Sequence, residues 1–176
     1  MRFEQSPLPG AFVVDVDRKD DERGFFARTF CHDEFSEHGL VADYAQSSVS
    51  FNKRKGTLRG MHFQKKPHEE AKVVRCTMGA IYDVIVDLRP GSPTQTRWFG
   101  IELSAVNRRA LYVPKGFAHG FITLADESEV LYQISTQFHP ESAAGVRWND
   151  PAFTIEWPLE AAVMSGRDRS YPDYQT

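Results

Sequence analysis

At 176 residues the chain is long enough for one domain, spanning 1–176, that buries roughly 70% of its unfolded surface. Twenty-one Lys and Arg against 24 Asp and Glu leave a formal charge of -3, which excludes the basic field needed for general nucleic-acid binding. Two cysteines, Cys31 and Cys76, are too few for a disulfide framework and fit a reducing cytoplasm, and no run approaches the ~18 apolar residues of a membrane span. Along the chain, residues 11–16 and 25–30 read as strands, followed by a two-turn helix over 32–38 with Asp33 and Glu34 early. Further strands are predicted over 72–77, 81–88, 98–103, 110–113, 120–124 and 130–135. Turn signals stand between them at Arg89-Pro-Gly-Ser-Pro-Thr94 and later at Asn149-Asp-Pro151. Eight or more short strands without a repeat or linker predict an all-β protein. The expected architecture is a two-sheet jelly roll, or double-stranded β-helix, with short flanking helices and an open mouth for ligand.

The stretch Gly56-Thr-Leu-Arg-Gly-Met-His62-Phe-Gln64 half-matches the metal motif of cupin-type barrels, in which Gly, five residues and His-x-His, with a nearby Glu, hold a divalent ion. Gly56 and His62 fit the spacing. Gln64 replaces the second histidine, and an amide binds first-row metals poorly. A second cupin-like signature, Pro114-Lys-Gly116-Phe-Ala-His119, aims another histidine inward. His62, His119 and a displaced Glu69 or Glu70 are a thin ligand set, so neither metal nor other cofactor is expected. A histidine free of metal can move protons. With Lys72, Arg59 and Tyr132 it forms a kit for removing a proton beside a carbonyl: a base, cations for the enolate oxygen, and an acid on another wall. A carboxylate behind the imidazole would fix its tautomer, and the residues alone offer many for that role. Taken singly, Tyr132 reads as a core or rim aromatic, Lys72 and Arg59 as solvated charges, Asp168 as a surface loop residue and Phe26 as core.

Read together, Asp21-Glu-Arg-Gly-Phe-Phe26, the 56–64 stretch, Lys72-Val-Val-Arg-Cys76, Tyr82-Asp-Val-Ile-Val-Asp87, Pro114-Lys-Gly-Phe-Ala-His-Gly-Phe121 and Trp148-Asn-Asp-Pro151 closely resemble the dTDP-4-dehydrorhamnose 3,5-epimerase family. The match runs from about residue 7 to Asp168. The resemblance implies a metal-free cupin-fold dimer that epimerises a nucleotide-diphospho-4-keto-6-deoxyhexose through enolate-type intermediates. It implies His62 as base, Asp168 as its paired carboxylate, Tyr132 as the acid of the far face and Lys72 as the group near the sugar carbonyl oxygen. Arg59 and His119 match substrate contacts, the planar fork of Arg59 being suited to a diphosphate. Gln46, Ser48, Phe138 and Arg167 are further substrate-binding positions in this reading. Arg23 and Phe26 match a segment inserted into the partner's site.

The departures from the family pattern cluster. Arg28 stands where many members carry Glu, Ser48 replaces an Asn, Phe138 replaces a Tyr and Ala143 falls near a usual Glu. All four belong to the nucleotide end, while the proton-transfer residues are intact. Two explanations stand side by side: recognition of a base other than thymine, such as cytosine, or drift compensated nearby by Gln46 or Glu141. Two other classes of function compete with the epimerase, a metal-dependent cupin enzyme built on His62 and His119 and a non-catalytic sugar-nucleotide-binding protein.

Overall fold

The computed structural model describes residues 1–175. The chain begins with β1 (Arg2–Gln5), β2 (Phe12–Asp15), a hairpin of β3 (Lys19–Asp21) and β4 (Gly24–Phe26), and helix α1 (His32–Glu37). The long strands follow: β5 (Gln46–Asn52), β6 (Thr57–Gln64), β7 (Lys72–Met78), β8 (Ala80–Asp87), β9 (Trp98–Ser104), β10 (Ala110–Val113), β11 (Phe117–Thr123) and β12 (Ser128–Ile134). Short β13 (Ala143–Gly145), β14 (Val163–Met164) and α2 (Gly166–Arg169) complete it.

Two sheets face each other, one ordered β1-β2-β10-β7-β12-β5 and the other β13-β6-β11-β8-β9, with β14 added alongside β6. This is the expected cupin-type jelly roll. Its core follows from period-two alternation. On β11, Phe117 and Phe121 enter the space between the sheets, where they meet Val74, Ile81, Ile85, Leu111 and Val130, while Ala118 points outward. Residue parity therefore assigns His119, between Phe117 and Phe121, to the interior. The same rule places Asp83 between Ile81 and Ile85 and sets Tyr132 beside Val130.

The outer faces are also covered. Helix α1 buries Phe35 completely against Val14, Val73, Ala110 and Tyr112 on the first sheet, a burial that stabilises by about 2–3 kcal/mol. Asp33 and Glu34 lie in its first turn, where the helix dipole favours negative charge, and Gly39 at φ 69 follows its end. On the second sheet, Val146 and Phe153 pack over Met61, Val84, Val86 and Ala118.

Strand β6 carries an irregularity on which the cavity depends. His119 pairs with His62, yet Phe121 pairs with Arg59, so two steps along β11 match three along β6. The extra residue is a β-bulge, and it reverses side-chain parity so that Arg59 and His62, an odd and an even position, face the same space. Gly60 permits this at φ 144, and a Cβ there would lie 2.6 Å from the Gly120 Cα.

The predicted strand over 110–113 is observed with the same bounds, and 72–77, 81–88, 98–103 and 130–135 shift only at their ends. Residues 25–30 do not form one strand. Only Gly24–Phe26 pairs, with β3, because the hairpin extends off the sheets without another neighbour. Strand β11 starts at Phe117 rather than 120, since Phe117–His119 continue the ladder with β8. Among the described residues, no helix is long and apolar enough to cross a membrane.

Candidate active site

The two sheets part at one end around a cavity of ≈ 360 Å³. Its walls come from both: His62 and Arg59 from β6 and His119 from β11 on one side, Lys72 from β7 and Tyr132 from β12 on the other. Gln46 and Ser48 on β5, with Phe138, Ala143 and Arg167, also line it.

Asp168 is the last piece. Parallel pairing of β14 with the start of β6 carries the chain back to the cavity wall, and Ser165 caps α2 by accepting from the Asp168 N–H at 3.1 Å. Asp168, only 4% exposed, then reaches across 106 positions of sequence to His62 Nε2 at 2.7 Å. Its other oxygen receives the Gly60 N–H at 3.4 Å. Since a carboxylate only accepts, this bond assigns the imidazole hydrogen to Nε2 and leaves the lone pair on Nδ1. Burial is the largest influence on His62 and holds its pKa below the ordinary 6.5, with Asp168 pulling upward and the charges of Lys72 and His119 pushing down. The imidazole is thus neutral, and a competent base, at physiological pH.

Tyr132 stands edge-on to His119, with ring centroids 6.0 Å apart and planes at 80°. Burial, reinforced by the negative charge of Asp83, pushes its phenol far above the usual range, so it remains a proton donor. His119 Nε2 meets Asp83 Oδ1 at 2.8 Å, and the fully buried Asp83 leaves Oδ2 without a partner. Burial raises the Asp83 pKa. Arg59 is held by Asn52, whose Oδ1 accepts from Nε at 2.7 Å.

Two predicted positions lie elsewhere. Arg23 and Phe26, on the β3–β4 hairpin, are not part of this chain's own cavity: Arg23 pairs with Asp21 at 2.6 Å and Phe26 is 73% exposed. Of the four departures, Ser48, Phe138 and Ala143 line the cavity, whereas Arg28 pairs with Glu34 at 3.0 Å. Gln46 Oε1 accepts the Phe138 N–H at 2.6 Å, which ties the β5 edge to the rim.

Among the described residues, donors of metal-ligand type come together in a group of His68, His139 and Glu141 rather than at His62 and His119. The two imidazoles there stack face to face at 3.5 Å and 5°. Both Nδ1 atoms there are engaged within the protein, that of His68 with Ser142 Oγ at 2.9 Å and that of His139 with Glu141 Oε1 at 3.1 Å.

Three contributors were not legible as site residues. Tyr171 lines the cavity in an edge-to-face arrangement with His62, and it fits only because position 145, opposite His62 on β13, is glycine. Nothing in Ser-Tyr-Pro announces this. Asp83 carried a signal in retrospect, being an acid at an inward position of a strand. Glu70 drew attention only as a stray metal ligand, yet it lines the cavity beside Lys72.

A jelly roll that gathers the side chains of His62, Tyr132 and Lys72 around one open mouth defines a protein of the cupin type with a candidate active site. The sequence profile of the dTDP-4-dehydrorhamnose 3,5-epimerase family matches residues 5–176. A dTDP-4-dehydrorhamnose 3,5-epimerase of Methanothermobacter thermautotrophicus is 43% identical over 174 residues, covering 97% of this chain and 92% of the relative. The crystal structure of the Bacillus anthracis enzyme of that name, with TDP and pyrophosphate bound, superposes with a TM-score of 0.95 at 39% identity, covering 98% and 99% of the two chains. ChmJ, a 3'-monoepimerase of Streptomyces bikiniensis in complex with dTDP-quinovose, superposes at 0.89 with 31% identity, covering 96% and 85%. The chain belongs to the dTDP-4-dehydrorhamnose 3,5-epimerase family.

Proposed function

We propose that this protein epimerises C3 and/or C5 of a dTDP-linked 4-keto-6-deoxyhexose, of the dTDP-4-dehydro-6-deoxyglucose to dTDP-4-dehydrorhamnose type. The observation that carries the reading is the 2.7 Å pair of Asp168 and His62 facing a cavity shared with Lys72 and Tyr132. His62 Nδ1 takes the proton alpha to the C4 ketone, and Asp168 stabilises the imidazolium that forms. The Lys72 ammonium holds the enolate oxygen. Tyr132 returns a proton from the opposite wall, which inverts the centre. Arg59 and Arg167 receive the diphosphate, and Gln46, Ser48 and Phe138 the nucleoside, the Phe138 ring offering a stacking face.

The test is incubation with matched dTDP- and CDP-4-keto-6-deoxyglucose in deuterated water, reading label at C3 and C5. Label in the dTDP sugar is expected. Its absence overturns the reaction, and a preference for the CDP sugar overturns the nucleotide. The pH profile supplies a second check. Because the folded environment lowers the His62 pKa, kcat/KM should fall with acid through a midpoint below about 6.5. Asp168→Asn removes the charge that favours imidazolium, so the midpoint moves lower still and kcat drops on the order of 10²-fold. An upward shift would contradict the assigned pairing.

The working unit we propose is a cytoplasmic homodimer in which Arg23 and Phe26 complete the partner's cavity. Support comes from the exposure of that hairpin and of Val49 and Phe51, at 58% and 45%, on edge strand β5. Free Cys31 and Cys76 fit a reducing compartment. Mixing inactive Arg23→Ala and His62→Ala proteins discriminates the arrangement. Heterodimers then contain one intact site, so activity should recover to about a quarter of wild type after random exchange. No recovery would place Arg23 in its own subunit's site or outside catalysis.

A further inference from the structure

We infer that Glu70 is a positioning residue that aims the Lys72 ammonium, and that Gln64, the residue that breaks the metal motif, exists to hold Glu70. The inference rests on the proposed role of Lys72 as the cation at the enolate oxygen. Lys72 alone is poorly directed, because its ammonium rides on a flexible four-carbon stem. Glu70 Oε1 stands 2.8 Å from its Nζ, with the two side chains only 11% and 10% exposed. The pairing fixes one end of the ammonium and leaves its other hydrogens for a ligand.

The other carboxylate oxygen is also committed. Gln64 Nε2 donates to Glu70 Oε2 at 2.7 Å. Gln64 itself has no freedom to turn: its Nε2 also faces the carbonyls of His68 at 3.1 Å and Gln137 at 3.2 Å, while its Oε1 accepts the His139 N–H at 2.6 Å. Flipping the amide would set Oε1 against two carbonyl oxygens and an NH₂ against an N–H. Position 70 therefore confronts two donors, the Gln64 amide and the Lys72 ammonium, and needs an acceptor toward each. A carboxylate satisfies both. A glutamine of the same shape has one acceptor oxygen and must turn its own NH₂ toward one of the donors. Placement matters twice over, because Lys72 is also one of the charges that oppose protonation of His62.

The test is a double-mutant cycle on the full-length protein with the dTDP-keto-sugar, using Glu70→Gln, Lys72→Ala and the combination, with Glu69→Gln as a neighbouring control. Glu70→Gln should lower kcat about 10-fold with KM changed less than about 2-fold, since ammonium placement affects the enolate more than the bound ketone. Adding Glu70→Gln to Lys72→Ala should cost nothing further, because the group it positions is gone. Far-ultraviolet dichroism and unchanged dTDP affinity verify that each variant is folded. A Glu70→Gln enzyme with wild-type kcat, or an undiminished loss in the Lys72→Ala background, overturns the inference alone. A Lys72→Ala enzyme with wild-type kcat overturns the reading of Lys72 and this inference with it.

Discussion

Replacing His62 by alanine is expected to lower kcat by about 10³-fold and to abolish deuterium incorporation at the sugar carbons. The expectation follows from how few groups in the cavity are free to act as a base. Both cavity imidazoles bind a carboxylate through Nε2, but the His62 side chain is 40% exposed against 5% for His119, and its depressed pKa keeps it unprotonated. His119 is 4% exposed and engaged with Asp83, Lys72 is ion-paired with Glu70, and the Tyr132 phenol is far too weak an acid to ionise. No neighbour is placed to substitute. Label entering at the wild-type rate in folded His62→Ala protein would reject His62 as the base.

Replacing Tyr132 by phenylalanine is expected to separate exchange from inversion. The ring and its contact with His119 survive, and only the hydroxyl is lost. Proton removal by His62 continues and solvent hydrogen returns from the same face, so label enters the substrate while epimer formation falls by at least about 10²-fold. The physical ground is the position of the two groups on opposite sheets, β6 and β12, with the cavity between them. A base on one wall and an acid on the other can exchange a proton through a planar enolate with inversion, which a single residue cannot do. Equal losses of exchange and inversion would remove Tyr132 from the role of acid. Wild-type rates of both would remove it from the chemistry.

Much of the framework was legible because short β-branched and aromatic runs bounded by turn residues are a local signal. Residues 81–88 and 130–135 are such runs, and they form β8 and β12. The short elements were not legible. Strand β14 is two residues long and α2 is four, and their conformations depend on docking against β6 rather than on their own composition. The β5 strand was missed for a related reason: Gln46-Ser-Ser-Val-Ser-Phe-Asn52 is a mostly polar run at a sheet edge, without a buried face to mark it.

The sequence by itself determined the fold class, the two inward histidines and, through its ordered motifs, the family. These depend on nearest-neighbour sterics and on residue parity, which are encoded over a few positions. The tertiary structure decided which carboxylate serves His62, because the contact with Asp168 spans 106 residues and is closed by β14 and the Ser165 cap. It decided that Arg59 and His62 share a cavity, because a bulge opposite Gly120 reverses the parity of β6. It also decided what Gln64 is for. In sequence that residue is a missing metal ligand, and in space its amide is held between four polar partners that turn a donor toward Glu70 and, through it, fix Lys72.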